Sequence, residues 1–172
     1  MTLTITRRRD PAAVRRILES LPDWFGDPEA VTAYAGAAAE DEYLSFCVER
    51  GGVGQDQADQ DQAGPVREVV GIALVRRHFP ESAELHLIAV SPEVRSQGAG
   101  RELVEHISRM LSEDGCLMLT VHTVGPSFPH EPYAQTRAFY RRLGFIPLEE
   151  HENLDWPGPT LILVRPLGAA GA

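Results

Sequence analysis

The stretch from Val90 to Leu111, VSPEVRSQGAGRELVEHISRML, constrains the fold of this chain more than any other. An apolar run ends at Ser91-Pro92, and a basic loop containing glycine follows. A helical pattern then begins at once, with Leu103, Ile107, Met110 and Leu111 at helical spacing. A further apolar run, Cys116 to Val121, comes after the Asp114-Gly115 stop signal. Strand, helix and strand in this order predict a parallel crossover, because parallel neighbours need a connection of about helix length. The helix start exposes unpaired backbone N–H groups with partial positive charge. Gly98 and Gly100 let a bulky anion approach those groups, phosphate being the usual guest, and Arg95 and Arg101 add charge beside it. Glycines placed for tight packing alone fit the same segment. No Lys-Ser/Thr follows the last glycine, which argues against a nucleoside-triphosphate loop. The third glycine of a dinucleotide fingerprint would fall on Leu103, which argues against that motif as well.

The remaining elements are read from pattern and punctuation. Leu3 to Thr6 is a first strand. Asp10-Pro11 and Asp27-Pro28 each place an N-cap before a proline at the first helical position, starting helices that run to about Leu21 and Ala39. Tyr43 to Glu49, Glu68 to Val75 and Glu84 to Val90 read as strands, the last two joined as a hairpin around Phe79-Pro80. Tyr133 to Leu143 is a short helix closed by Gly144, and Phe145 to Leu148 and Leu161 to Val164 are late strands. The early hairpin implies antiparallel pairs. The predicted class is therefore α/β, a single mixed, mostly antiparallel central sheet flanked by helices on both faces.

The chain has 172 residues, 43% of them hydrophobic, which suits one globular domain with a sizeable core. We place that domain at residues 1–167, with 51–65 (rich in Gly, Gln and Asp) as a flexible loop insertion and 168–172 as a disordered tail. The formal net charge of −9 repels phosphate backbones, so nucleic acid is not an expected partner. No run has signal-peptide or membrane-spanning character, and Cys47 and Cys116 sit far apart in apolar runs. The expectation is a cytoplasmic protein with reduced, buried thiols and no membrane association. The histidines and acidic residues show no metal-ligand spacing, so no metal is expected.

A second signal is the helix Tyr133-Ala134-Gln135-Thr136-Arg137-Ala138-Phe139-Tyr140, which continues into Arg141-Arg142-Leu143-Gly144-Phe145. Alone, Tyr140 reads as a core tyrosine. In combination with the glycine loop the chain resembles the GNAT N-acetyltransferases. Arg95-Ser96-Gln97-Gly98-Ala99-Gly100 is similar to their Q/R-x-x-G-x-G/A acyl-CoA loop, and Phe139 to Phe145 to their "fYeklGF" segment. Ala83 to Ser91 resembles the strand before the loop. The likeness covers residues 66 to 166 well; the first third fits only in its order of elements. It implies the acyl-CoA N-acyltransferase fold, acetyl-CoA as co-substrate, and amides from Arg95 through Ser96, Gln97, Gly98, Ala99 and Gly100 to Arg101 holding the pyrophosphate. The backbone of Ala89 and Val90 would pair with the pantetheine arm where the strands ending at Val90 and Val121 splay, and Arg142 would reach a nucleotide phosphate. The chain departs from the family pattern at Tyr133, where asparagine is common, and at Thr136, where alanine is common.

The implied reaction is direct attack of a primary amine on the acetyl thioester. An alkylammonium must lose a proton first. Glu84 is the first candidate base, with a carboxyl pKa raised in a half-buried site; the competing reading is a strand carboxylate paired with a basic neighbour. His86, two residues along the same strand, and His122 are alternatives. A backbone N–H near Val90 would serve the oxyanion, and the resemblance places Tyr140 to protonate the departing thiolate. The acceptor, a small-molecule or protein amine, would be bound by Trp24, Phe25, His86, His122, Tyr133 and Trp156, with Asp155 nearby. The alternative class is a catalytically inactive CoA-binding sensor or partner-binding domain. Presence of both Glu84 and Tyr140 favours the enzyme. Edge strands near the C-terminus allow a homodimer.

Overall fold

Continuous apolar strands demand cover on both faces, and the chain supplies it with two pairs of helices. The computed structural model describes residues 2–51 and 67–168; the expected insertion beyond Gly51 and the tail from residue 169 lie outside the described residues. The strands are β1 (Leu3–Arg7), β2 (Tyr43–Gly51), β3 (Arg67–Phe79), β4 (Ser82–Val90), β5 (Met118–Val124), β6 (Ile146–Glu152) and β7 (Pro159–Pro166). The helices are α1 (Pro11–Glu19), α2 (Pro28–Ala37), α3 (Ala99–Glu113) and α4 (Glu131–Arg142). The strands form one sheet in the order β1-β2-β3-β4-β5-β7-β6. β4 and β5 run parallel across the α3 crossover; the other neighbours are antiparallel. This is the mixed, mostly antiparallel sheet that the strand–helix–strand pattern predicts.

Both early helices start as their sequences dictate. The Asp10 carboxylate accepts from the Ala13 N–H and that of Asp27 from the Glu29 N–H, each at 2.9 Å, with Pro11 and Pro28 in the first turn. α1 and α2 bury Val14, Ile17, Leu18 and Val31 against Cys47, Ile72, Leu74 and Leu87 on one face of the sheet. α3 and α4 bury Leu103, Ile107, Leu111 and Tyr140 against Val48, Val75, Leu85 and Leu119 on the other. β3 is thus apolar on both sides from Val69 to Val75, which is why it reads as an unbroken apolar run.

β4 is irregular in two places. Leu74 pairs with Leu87 but Val75 with Leu85, so His86 is an extra residue, a bulge. Leu85 accordingly packs under α3 while Leu87 packs under α1 and α2. On the other edge, pairing with β5 covers Ser82 to Glu84 against Met118 to Thr120 and then ends, although β4 continues to Val90 and β5 to Val124. The two strands part there, as expected.

Some boundaries differ from the sequence reading. β6 extends to Glu152 through Glu149, Glu150 and His151, and every residue of it is exposed. A polar edge strand held by its ladder to β7 carries no alternation to read. α4 begins at Glu131, two residues early, because Pro132 occupies the first turn, where its missing N–H costs nothing. β3 runs on to Phe79 through polar Arg76, Arg77 and His78.

Candidate active site

The parted strands open a cleft of about 1640 Å³ between β4, β5, α2, α4 and the start of α3. Every residue nominated from the sequence lines it except Gln97, whose side chain turns back to donate to the Glu93 carbonyl at 3.0 Å. Gln97 therefore has a loop-closing role, and its place in the nominated set rests on its backbone alone.

The glycine loop leaves a bare helix start. The first backbone bond at the head of α3 is from the Glu102 N–H to the Gly98 carbonyl at 2.9 Å, and no side chain caps Gly98. Among the described residues the amides of Ala99, Gly100 and Arg101 have no backbone acceptor. The two glycines serve different ends. Gly98 has φ of 86°, the left-handed region, with open space where a Cβ would stand. Gly100 is a packing glycine: a Cβ there would lie 3.3 Å from the Phe139 ring of α4. Ser96 also takes a positive φ, 67°, a costly choice for a side chain with a Cβ, and such strain gathers where backbone is shaped to a ligand. Arg95, Arg101 and Arg142 stand around this mouth.

The free edge of β4 faces the gap. The Ser91 N–H donates to the Val70 carbonyl of β3 at 2.8 Å, so by strand alternation Ala89 also directs its backbone to β3, while Ile88 and Val90 direct theirs into the gap. The sequence reading named Ala89 with Val90; the edge groups are those of Val90 and Ile88, because Ala89 is one residue out of phase.

Glu84 departs from expectation. Its carboxylate accepts from His86 Nδ1–H at 3.2 Å on one oxygen and from His78 Nε2–H at 2.8 Å on the other. Burial alone raises a carboxyl pKa, but these two hydrogen bonds, with the charges of His122 and His86, outweigh it and hold Glu84 down to about 2. The raised pKa expected of a base is absent. His86 lies between the rings of Tyr43 and Tyr34, at centroid distances of 4.9 and 5.4 Å. His122 Nδ1 is 2.9 Å from Asp155 Oδ2. Thr120 pairs with Glu84, and His122, two residues on, shares its face, so Glu84, His86 and His122 all stand on the α2 side of the gap.

Tyr140 stands on the other side. It is 5% exposed, packed in the α3–α4 core against Phe139 and Phe145, yet lines the cleft. Burial first, and then the Tyr34 phenol, push its hydroxyl well above the ordinary tyrosine range, so it stays protonated. Tyr34, raised mainly by burial, also feels Asp155, Tyr133 and Glu84. The sequence reading missed Tyr34 and Tyr43. Tyr34 sits one turn after Val31 on the stripe of an apolar helix, where a tyrosine reads as core.

The departures at Tyr133 and Thr136 work as a pair. The Tyr133 hydroxyl donates to the Trp24 carbonyl at 2.9 Å, and Trp24 Nε1–H donates to Thr136 Oγ1 at 3.0 Å. They tie the loop between α1 and α2 to α4. The Arg95 guanidinium lies 4.2 Å from the centroid of the Trp24 ring, so one indole links the glycine loop to the aromatic loop. Phe25 packs edge-on to Tyr34 at 6.0 Å, and Trp156 to Phe128 at 5.5 Å. Trp156 lies on Gly158, where a Cβ would run into its ring.

A family model described as an acetyltransferase (GNAT) domain matches residues 57–147. The chain belongs to the GNAT acetyltransferase family. Among solved structures it resembles a protein described as a GNAT-family acetyltransferase from Desulfovibrio desulfuricans, at 22% identity and TM-score 0.75, over 97% of this chain and 100% of that one. It also resembles the ribosomal-protein-S18-alanine N-acetyltransferase of Escherichia coli (23%, TM-score 0.70, covering 99% and 97%) and an acetyl-CoA-bound GNAT acetyltransferase of Elizabethkingia anophelis (15%, TM-score 0.66, covering 96% and 98%). At these identities the likeness is one of fold. No curated protein matches the chain in sequence. Among the described residues no group of three or more His, Cys, Asp or Glu is placed to hold a metal, and no helix is long and apolar enough to cross a membrane.

Proposed function

We propose that this GNAT protein is an acetyl-CoA-dependent N-acetyltransferase that acts on a primary amine of a small molecule or a protein by direct attack. The observation that carries the proposal is the parted β4–β5 edge, with a bare helix N-terminus at its mouth and the protonated Tyr140 hydroxyl beside it. The free amides of Ala99, Gly100 and Arg101, with Arg95 and Arg142, fit a diphosphate. The unpaired edge groups of Ile88 and Val90 fit an amide-bearing arm that adds like a strand. Bound acetyl-CoA supplies an acyl group activated as a thioester.

The chain's own groups then divide the work across the sheet. Glu84 remains ionised at neutral pH and, with Asp155, makes the α2 side attractive to an ammonium. Proton removal falls to an imidazole on that side. An N–H of the β4 edge stabilises the developing oxyanion. Tyr140, on the α4 side, gives its proton to the leaving sulfur. Trp24, Phe25, Tyr133 and Trp156 wall the acceptor region.

Isothermal titration with acetyl-CoA, followed by a thiol-release assay over a panel of amines, tests this reading. Binding with turnover of at least one amine is expected. Binding without turnover of any amine makes the protein a CoA-binding domain instead, and absence of binding overturns the reading.

A further inference from the structure

We infer that His122, held by Asp155, is the general base that takes the proton from the acceptor ammonium. This rests on the acetyltransferase reading above. A carboxylate only accepts, so the short contact between His122 Nδ1 and Asp155 Oδ2, 2.9 Å, places the proton on Nδ1 and leaves the lone pair on Nε2. Nε2 has no hydrogen-bond partner among the described residues, and His122 lines the cleft. Among the described residues Asp155 pairs with no other cation, and no aromatic ring stacks on His122.

The other groups on this side are already committed. Both oxygens of Glu84 accept from imidazoles. His86 is clamped between Tyr34 and Tyr43 and shares its carboxylate with His78. His122 touches Asp155 from the β6–β7 loop and lies within electrostatic reach of Glu84 from β4, while His86 from β4 and Tyr34 from α2 line the same cleft. Asp155, in contact with Nδ1, lies beside the positive charge that the step creates.

In the step, one ammonium proton passes to Nε2 of His122. The freed nitrogen lone pair forms the C–N bond to the acetyl carbon, and the C–S bond breaks with its electrons on sulfur. Tyr140 gives its proton to the thiolate, the second nitrogen proton passes through solvent to restore the Tyr140 hydroxyl, and His122 returns its proton to water. Net, the ammonium and the thioester give an amide, a thiol and one released proton. Asp155 is a positioning residue, fixing tautomer and ring direction.

The test compares H122Q, H86Q and D155N on two acceptors, benzylamine and hydroxylamine. Hydroxylamine is largely unprotonated at neutral pH and has little need of a base. H122Q should lower kcat/KM for benzylamine by about 10²–10⁴-fold, with a much smaller loss for hydroxylamine and an unchanged Kd for acetyl-CoA. H86Q should keep the acid limb of the benzylamine pH profile, which H122Q loses; D155N should shift that limb. Equal losses on both acceptors in H122Q, or loss of the limb in H86Q alone, overturn the assignment. A long-range ¹⁵N–¹H spectrum decides it without turnover: neutral His122 should carry its proton on Nδ1 in the wild type and lose that preference in D155N. Neutral His122 protonated on Nε2 overturns the inference. Wild-type protein that binds acetyl-CoA but acetylates neither these amines nor the wider panel fails the acetyltransferase reading, a result distinct from every variant outcome.

Discussion

The two faces of the sheet are built on different principles, and the gap between β4 and β5 joins them. The α3–α4 face is dry: Leu103, Ile107, Leu111, Leu119 and Leu163 are fully buried, and Tyr140 is set among Phe139 and Phe145. The α1–α2 face has an apolar base but a wet front, where Tyr34, Tyr43, His86, Glu84 and His122 meet solvent. A reaction that removes a proton from one reactant and supplies one to another gains from such a division, because each side holds its proton inventory in a different medium. Low polarity keeps the Tyr140 hydroxyl neutral. On the other side Glu84 stays ionised and imidazoles stand beside it to exchange protons.

The sharpest way to break this comparison is at the dry side. Tyr140→Phe should lower kcat by about 10²-fold or more with little change in acetyl-CoA affinity, as measured by initial rates and titration calorimetry. Full activity in Y140F would leave the dry face with a purely structural part. The wet side is tested next with Glu84→Gln. Its folded pKa, about 2, lies below the ordinary carboxyl value, so the stability it contributes is present above about pH 4.5 and lost as pH falls towards 2. E84Q should therefore be destabilised by roughly 1–3 kcal/mol at about pH 6, where Glu84 is ionised and accepts from both imidazoles, and the gap should close near pH 2. Denaturant unfolding at the two pH values measures this; a gap that does not change with pH would remove the imidazole pairing as its cause.

Smaller effects sharpen the link between the faces. Gly98→Ala places a Cβ at φ of 86° and should cost about 1–2 kcal/mol, read as a lower Tm and a roughly tenfold weaker acetyl-CoA Kd. Gly98→Asn, which tolerates that conformation better, should recover part of it. Thr136→Ala removes the acceptor for Trp24 Nε1–H and should raise the amine KM by about threefold to tenfold at nearly constant kcat, with T136S restoring it. An unchanged KM would show that the aromatic loop does not shape the acceptor region.

Legibility followed the range of the interactions. The α3 start, the Gly98 turn, the caps at Asp10 and Asp27 and the Gly144 stop were all readable, because each is set by residues a few positions apart. The place where β4 and β5 separate was legible through the family resemblance, and so was Tyr140. The extra residue at His86 was not, since a bulge is a mismatch between two strands and has no signature within one. Nor was the role of Gly100, which is decided by the Phe139 ring lying against it from α4.

The sequence by itself determined the alternation of elements, the mixed sheet and the anion-ready helix start, because local pattern and backbone chemistry suffice for these. Only the tertiary structure decided the electrostatics. Glu84 is a weak base because His78 arrives from β3 and His86 from a bulge to occupy both of its oxygens. His122 gains its orientation from Asp155, 33 positions away along the chain. A pKa is a sum over neighbours in space, and the neighbours of these residues are assembled by the fold.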